Sequence, residues 1–113
     1  MQGSFLRFYV NEADRHGHVL LWEWLLEHAN KLGIRGGSAF RAMAGFGRHH
    51  KMHEQRFFEL AGTLPVEVEF IVTDQEAQLL FKSLEEAKVE LFYAKIPAYF
   101  GVIGEGVQDI TGE

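Results

Sequence analysis

The sequence predicts an α+β domain in which a four-stranded antiparallel sheet carries two helices on one face. Three features point to it. Phe5-Leu6-Arg7-Phe8-Tyr9-Val10 and Val66-Glu67-Val68-Glu69-Phe70-Ile71-Val72 alternate at a period of two, as half-buried strands do. Two stretches, from Leu21 and from Thr73, repeat apolar residues at helical spacing. Two further strand-like segments fall between and after them, so the order is β-α-β-β-α-β, the ferredoxin-like arrangement.

The first strand places Leu6, Phe8 and Val10 on one face and Arg7 and Tyr9 on the other. A polar stretch, Asn11 to Gly17, leads to the first helix, whose apolar stripe is Leu21, Trp22, Leu25, Leu26, Ala29 and Leu32. Glu27 and Lys31 form a favourable i,i+4 pair, and Gly33 stands just past the helix end. The second strand is expected within Gly36 to Ala44 and ends at Gly45-Phe46-Gly47. The third follows Pro65 directly.

Thr73-Asp74-Gln75-Glu76 reads as a capping box, with the Thr73 hydroxyl accepting from a first-turn amide and Glu76 reaching back. The second helix buries Ala77, Leu80, Phe81 and Leu84, with Ala87 at the end of the stripe. Val89 to Ile96 supplies a last strand expected to stop before Pro97. Residues 1–96 are thus read as the domain, about 46–56 as a flexible loop, and 97–113 as a Gly-rich, acidic tail.

A chain of 113 residues supports one hydrophobic core. Its 47% hydrophobic and 24% charged residues are those of a globular protein. The chain has no cysteine, which excludes disulfides and thiolate chemistry and makes the cytoplasm the expected compartment. Arg7 interrupts the only apolar run near the N-terminus, which suits neither a signal peptide nor a spanning helix, so no membrane insertion is expected.

A net charge of −5 argues against nucleic-acid binding. The distribution is uneven, however. Arg41, Arg48, Lys51 and Arg56 face one acid, Glu54, so the segment 41–56 is about +3 and the remainder about −8. That stretch is suited to meet an anion.

The helix-free face of the sheet would carry Phe5, Tyr9, Ile71, Phe92 and Ala94 beside its charges. An uncovered apolar sheet aggregates, so self-association is expected. Trp24 is either a further contact or edge-of-core packing.

Ala44-Gly45-Phe46-Gly47-Arg48 resembles the root of the long loop in PII signal-transduction proteins. Leu6-Arg7-Phe8-Tyr9-Val10-Asn11-Glu12, Gly36-Gly37-Ser38-Ala39-Phe40-Arg41 and Leu64-Pro65-Val66 resemble, in register, a small bacterial PII-like branch. The resemblance covers residues 5 to 96. It implies a homotrimer with inward-facing sheets, an adenine nucleotide in each inter-subunit cleft, and a mobile loop that signals to a partner such as a membrane transporter.

On that resemblance the nucleotide-binding residues are Arg41, Gly45, Phe46, Gly47 and Arg48: the glycines admit close backbone approach and the guanidiniums offer planar donors to phosphate. His49 stands where PII proteins place a glutamine that helps hold magnesium, and Glu85-Glu86-Ala87-Lys88 lacks their Gly-rich phosphate turn. AMP or ADP is therefore expected rather than magnesium triphosphate.

Other readings follow from the remaining polar residues. His49, His50 and His53 could ligate a metal, as in CutA-type trimers of the same fold, although adjacent histidines on an extended loop point apart. His16, His18 and His28 read as surface residues. Glu67 and Glu69 share a strand face and read as solvated or paired with Arg7 or Lys95 rather than as glycosidase carboxylates. Arg41 serves either a ligand or a salt bridge to Glu69. No paired acid and base marks an enzyme, and a regulatory binding protein is the expectation.

Overall fold

The computed structural model describes residues 1–46, 52–54 and 64–104, with side chains for 1–45 and 64–104. Among the described residues, eight strands and two helices follow one another: β1 (Gln2–Asn11), β2 (Arg15–His16), β3 (Val19–Leu20), α1 (Leu21–Lys31), β4 (Gly37–Arg41), β5 (Ala44–Phe46), β6 (Met52–Glu54), β7 (Pro65–Thr73), α2 (Asp74–Glu86) and β8 (Phe92–Tyr99). The main sheet has the order β4-β7-β1-β8, with every neighbouring pair antiparallel. This is the expected ferredoxin-like topology.

Period-two alternation decides what each face carries. Leu6, Phe8, Val66, Val68, Phe70 and Val72 turn to one side and meet Leu21, Leu25 and Ala29 of α1 and Ala77, Leu80 and Leu84 of α2 in one core. Phe8 is its centre, packed edge-on to Phe70 at 6.1 Å between ring centroids and tilted against Phe81 and Tyr93 at 6.0 and 6.3 Å. The opposite face stays open: Phe40, Ile71, Phe92 and Ile96 are each about half exposed.

Both helix ends use the local chemistry the sequence offers. Thr73 Oγ1 accepts from Glu76 N–H at 3.2 Å and Thr73 N–H donates to Glu76 Oε1 at 2.8 Å, completing the capping box of α2. Gly33 follows α1 at φ 89°, a conformation costly for residues with a Cβ. Lys88 takes the same role after α2 at φ 58°.

The structure departs from expectation in three places. The last strand runs from Phe92 through Pro97 to Tyr99, because β8 is an edge strand where the absent proline N–H interrupts no ladder; Val89 and Leu91 instead pack beside the core. The expected second strand splits into β4, in the main sheet, and β5, which pairs with β6. A small hairpin, β2 with β3, forms where only a polar connection was expected.

That hairpin changes the reading of two histidines and of Trp24. His16 packs on Trp24 with ring centroids 4.3 Å apart, and His28 stacks on Trp24 at 4.6 Å and 16°. Trp24 is therefore edge-of-core packing that holds the hairpin to α1. His28 also shares a 2.8 Å hydrogen bond with Ser83 Oγ, so neither it nor His16 is a simple surface residue.

Among the described residues, no helix is long and apolar enough to cross a membrane.

Candidate functional site

Of the nucleotide-site residues singled out from the sequence, the described ones lie where the chain leaves β4. Arg41 closes β4, and Gly45 and Phe46 lie in β5. Ala42 N–H donates to Pro65 O at 2.8 Å, so the outgoing and returning chains are joined at the neck. Among the described residues, a Cβ built on Gly45 would meet nothing within 4 Å. Gly47, Arg48, His49 and His50 lie outside the described residues. His53 is placed by its backbone in β6 opposite Gly45.

Of the two readings of Arg41, the salt bridge to Glu69 does not form: Arg41 Nη2 pairs with Glu12 Oε1. Glu69 belongs to Arg7, which stands directly across from it in the β1–β7 register and donates from Nε at 2.9 Å. A hydrogen bond with the Tyr9 side chain, foremost, and the charges of Glu69 and Glu67 raise the Arg7 pKa against the opposing pull of burial, so this guanidinium is permanently charged. Lys95 takes no part, since its register partner is Leu6 on the helix side.

The Glu12–Arg41 pair joins two of the sequence segments singled out above. Glu12 ends the first of them and Arg41 ends the second, 29 residues later. Their meeting gives both segments a place at the neck.

A second feature of the site went unread in the sequence. At the other end of β4, a cleft of about 670 Å³ opens on the helix-free face. Phe5, Phe40, Ile71, Phe100 and Val102 supply apolar walls, Arg35 and Glu69 supply opposite charges, and Gly36 to Ser38 supply bare backbone. The main chain builds its far wall: Phe100 N–H donates to Met1 O at 2.9 Å, which draws the segment after β8 across the start of β1. The signal available was Arg35 beside Gly36-Gly37, but the contribution of Phe100 and Val102 depends on β8 running past Pro97.

The cleft opens at the Gly37 end of β4 and reaches along it to Phe40, the residue before Arg41 of the neck. A cleft of this size with mostly apolar lining and a few placed charges has the character of a small-molecule site. Among the described residues, no group of three or more His, Asp or Glu side chains is placed to hold a metal ion.

Comparison with known proteins agrees with this architecture. The DUF190 family (Uncharacterized ACR) matches residues 3–93. A UPF0166 protein of Aquifex aeolicus is 34% identical over 85 residues, covering 75% of this chain and 78% of the relative. Among solved structures, CPII of Thiomonas intermedia K12, a nitrogen regulatory PII-like protein bound to ADP, AMP and bicarbonate, superposes with a TM-score of 0.55 at 12% identity, covering 90% of this chain and 98% of that one. A PII-like signalling protein of Thermus thermophilus gives 0.53 at 14% identity, over 87% of this chain and 90% of that one. The chain belongs to the DUF190 (UPF0166) family, and its fold is that of the PII-like proteins.

Proposed function

We propose that the protein is a non-enzymatic regulator that binds AMP or ADP between the subunits of a homotrimer and signals the bound state to a partner protein through the segment around residues 46–56. The observation that carries this reading is the 670 Å³ cleft with its aromatic walls and Arg35. Flat apolar walls suit an adenine base, and Gly36 to Ser38 offer backbone groups to its edge. The local basic surplus at Arg41 and Arg48, beside Gly45, Phe46 and Gly47, suits the phosphates.

Cleft and neck adjoin along β4, where Phe40 of the cleft precedes Arg41 of the neck. A cyclic trimer would set the neck of one subunit against the cleft of the next and close over a ligand bound between them. The same assembly covers Phe40, Ile71, Phe92 and Ile96, which would otherwise form a large exposed apolar face. The ADP- and AMP-bound state of CPII, a protein of the same fold, supports the choice of ligand.

Calorimetry with AMP, ADP, ATP and cyclic AMP tests the reading. ADP or AMP should bind at micromolar affinity, and Arg35→Ala should weaken binding about tenfold, the loss of one charge-assisted hydrogen bond. Absence of any binding tighter than millimolar would refute it. In the competing CutA-like reading, copper or zinc uptake is lost in the His49, His50 and His53 to Ala variant while nucleotide binding persists.

A further inference from the structure

We propose that Glu12 is a built-in competitor for the nucleotide's phosphate: it holds Arg41 in the free chain, and a bound anion that takes Arg41 from it loosens the neck of the signalling segment. The inference rests on the proposed nucleotide reading and assigns the residue that couples the ligand to the chain beyond it.

Glu12 touches both limbs of the neck. Its carboxylate pairs with Arg41, the last residue of β4, on the outgoing limb. Its backbone N–H donates to Leu64 O at 2.6 Å on the returning limb, beside the Ala42 N–H to Pro65 O bond that ties the two limbs directly. No other described residue is shown to bridge the limbs through both a side chain and a backbone bond.

The two partners differ in freedom. Glu12 sits in a fixed turn: Asp14 N–H donates to Asn11 O at 3.0 Å, Asn11 N–H donates to Asp14 Oδ2 at 3.1 Å, and Leu21 N–H, at the start of α1, donates to Asp14 O at 2.7 Å. The side chain of Glu12 is 23% exposed, that of Arg41 55%. When the pair opens, the long exposed guanidinium swings and the carboxylate stays.

The exchange is favourable to the ligand. An ion pair that solvent reaches through a half-exposed arginine is weak. A phosphate carries more charge and offers a guanidinium two parallel hydrogen bonds. Reciprocity then requires that whatever Glu12 contributes to closing the neck is subtracted from ligand affinity, and that ligand opens the neck to the same degree.

Two variants, Glu12→Gln and Glu12→Ser, test this in the full chain, with ADP and pyrophosphate as probes. Both variants should bind ADP roughly three- to tenfold more tightly than the parent, a gain that a merely structural role for Glu12 would not give. Amide exchange at Glu12 and Ala42 should quicken when the parent is saturated with ADP, and should already be quick in the ligand-free variants. If the parent binds ADP and the variants bind it equally or less well, Glu12 does not compete and the proposal falls. If ADP binds to none of them, the nucleotide reading fails separately; pyrophosphate must then still quicken exchange at the parent's neck but not at the variants', and unchanged exchange overturns the proposal.

Discussion

Arg7 and Glu69 face each other across β1 and β7 and join at 2.9 Å, with Glu67 3.8 Å from the same nitrogen. The cluster lies among apolar side chains on the open face of the sheet, and the Arg7 guanidinium also sits 5.4 Å above the Phe5 ring centre. In a single chain it is partly solvated and adds little to stability. Covered by neighbouring subunits, it would be withdrawn from water, and removing the cation would leave two carboxylates uncompensated. Arg7→Ala is therefore expected to leave the melting temperature of the dilute chain nearly unchanged while shifting sedimentation from trimer toward monomer. Adding Glu67→Gln and Glu69→Gln should restore the trimer. Identical sedimentation of all three proteins would show that this face is not the interface.

Among the described glycines, Gly3 has the least room for a side chain. A Cβ placed there would lie 1.8 Å from Val72 O and 2.8 Å from Thr73 Cα, both backbone atoms that no rotamer change can move. Gly3→Ala should cost roughly 3 kcal/mol, the upper part of the range for overpacked sites, read by urea denaturation. A loss below about 0.5 kcal/mol would mean that β1 and β7 separate at this end without penalty, against the behaviour of tightly packed interiors.

The topology was legible because it follows from local periodicity. Val66, Val68, Phe70 and Val72 recur at every second position, and the capping box at Thr73 fixes where α2 begins. What the sequence hid depends on neighbours. Pro97 signals an end to a strand only if its missing N–H is needed, and the β4-β7-β1-β8 order that makes β8 an edge strand is a tertiary fact. The salt bridge to Glu69, one of two readings of Arg41, fails for a similar reason: Arg41 is in register with the core-facing Val66, register delivers Glu69 to Arg7, and Glu12 reaches Arg41 because the turn after β1 folds against the neck. The cleft behind Arg35 combines chain positions as distant as Phe5 and Val102, which no local pattern connects.

The capping box makes a smaller prediction. Thr73→Ala removes the acceptor for Glu76 N–H and should lower stability by about 1 kcal/mol. Glu76→Gln keeps both reciprocal bonds in kind and should cost less than half as much. Both are measurable by thermal denaturation. Equal losses in the two variants would show that the charge of Glu76 near the helix N-terminus contributes as much as the hydroxyl.

His28 gives the fold a pH dependence whose direction follows from its surroundings. Ser83 Oγ donates to Leu80 O at 2.8 Å, so toward His28 it can only accept, and His28 Nε2 carries the hydrogen. Nδ1 is then the position that takes up a second proton. Burial, first, and then the positive charge of Lys31 and the presence of His16 lower the pKa of His28 below its ordinary 6.5. The unfolded chain, with the ordinary value, binds a proton more readily, so stability falls as pH drops through 6.5 toward the folded-state pKa and levels off beneath it. Above about pH 7.5 this contribution is flat. Urea unfolding between about pH 5.5 and 7.5, a window above the ordinary carboxylate range, should show stability rising with pH. His28→Asn, which retains a side-chain N–H to donate, should flatten part of that slope. Trp24 fluorescence should report the same transition, since a stacked imidazolium quenches indole emission more than a neutral ring does. A slope unchanged by His28→Asn would place the pH dependence elsewhere in the chain.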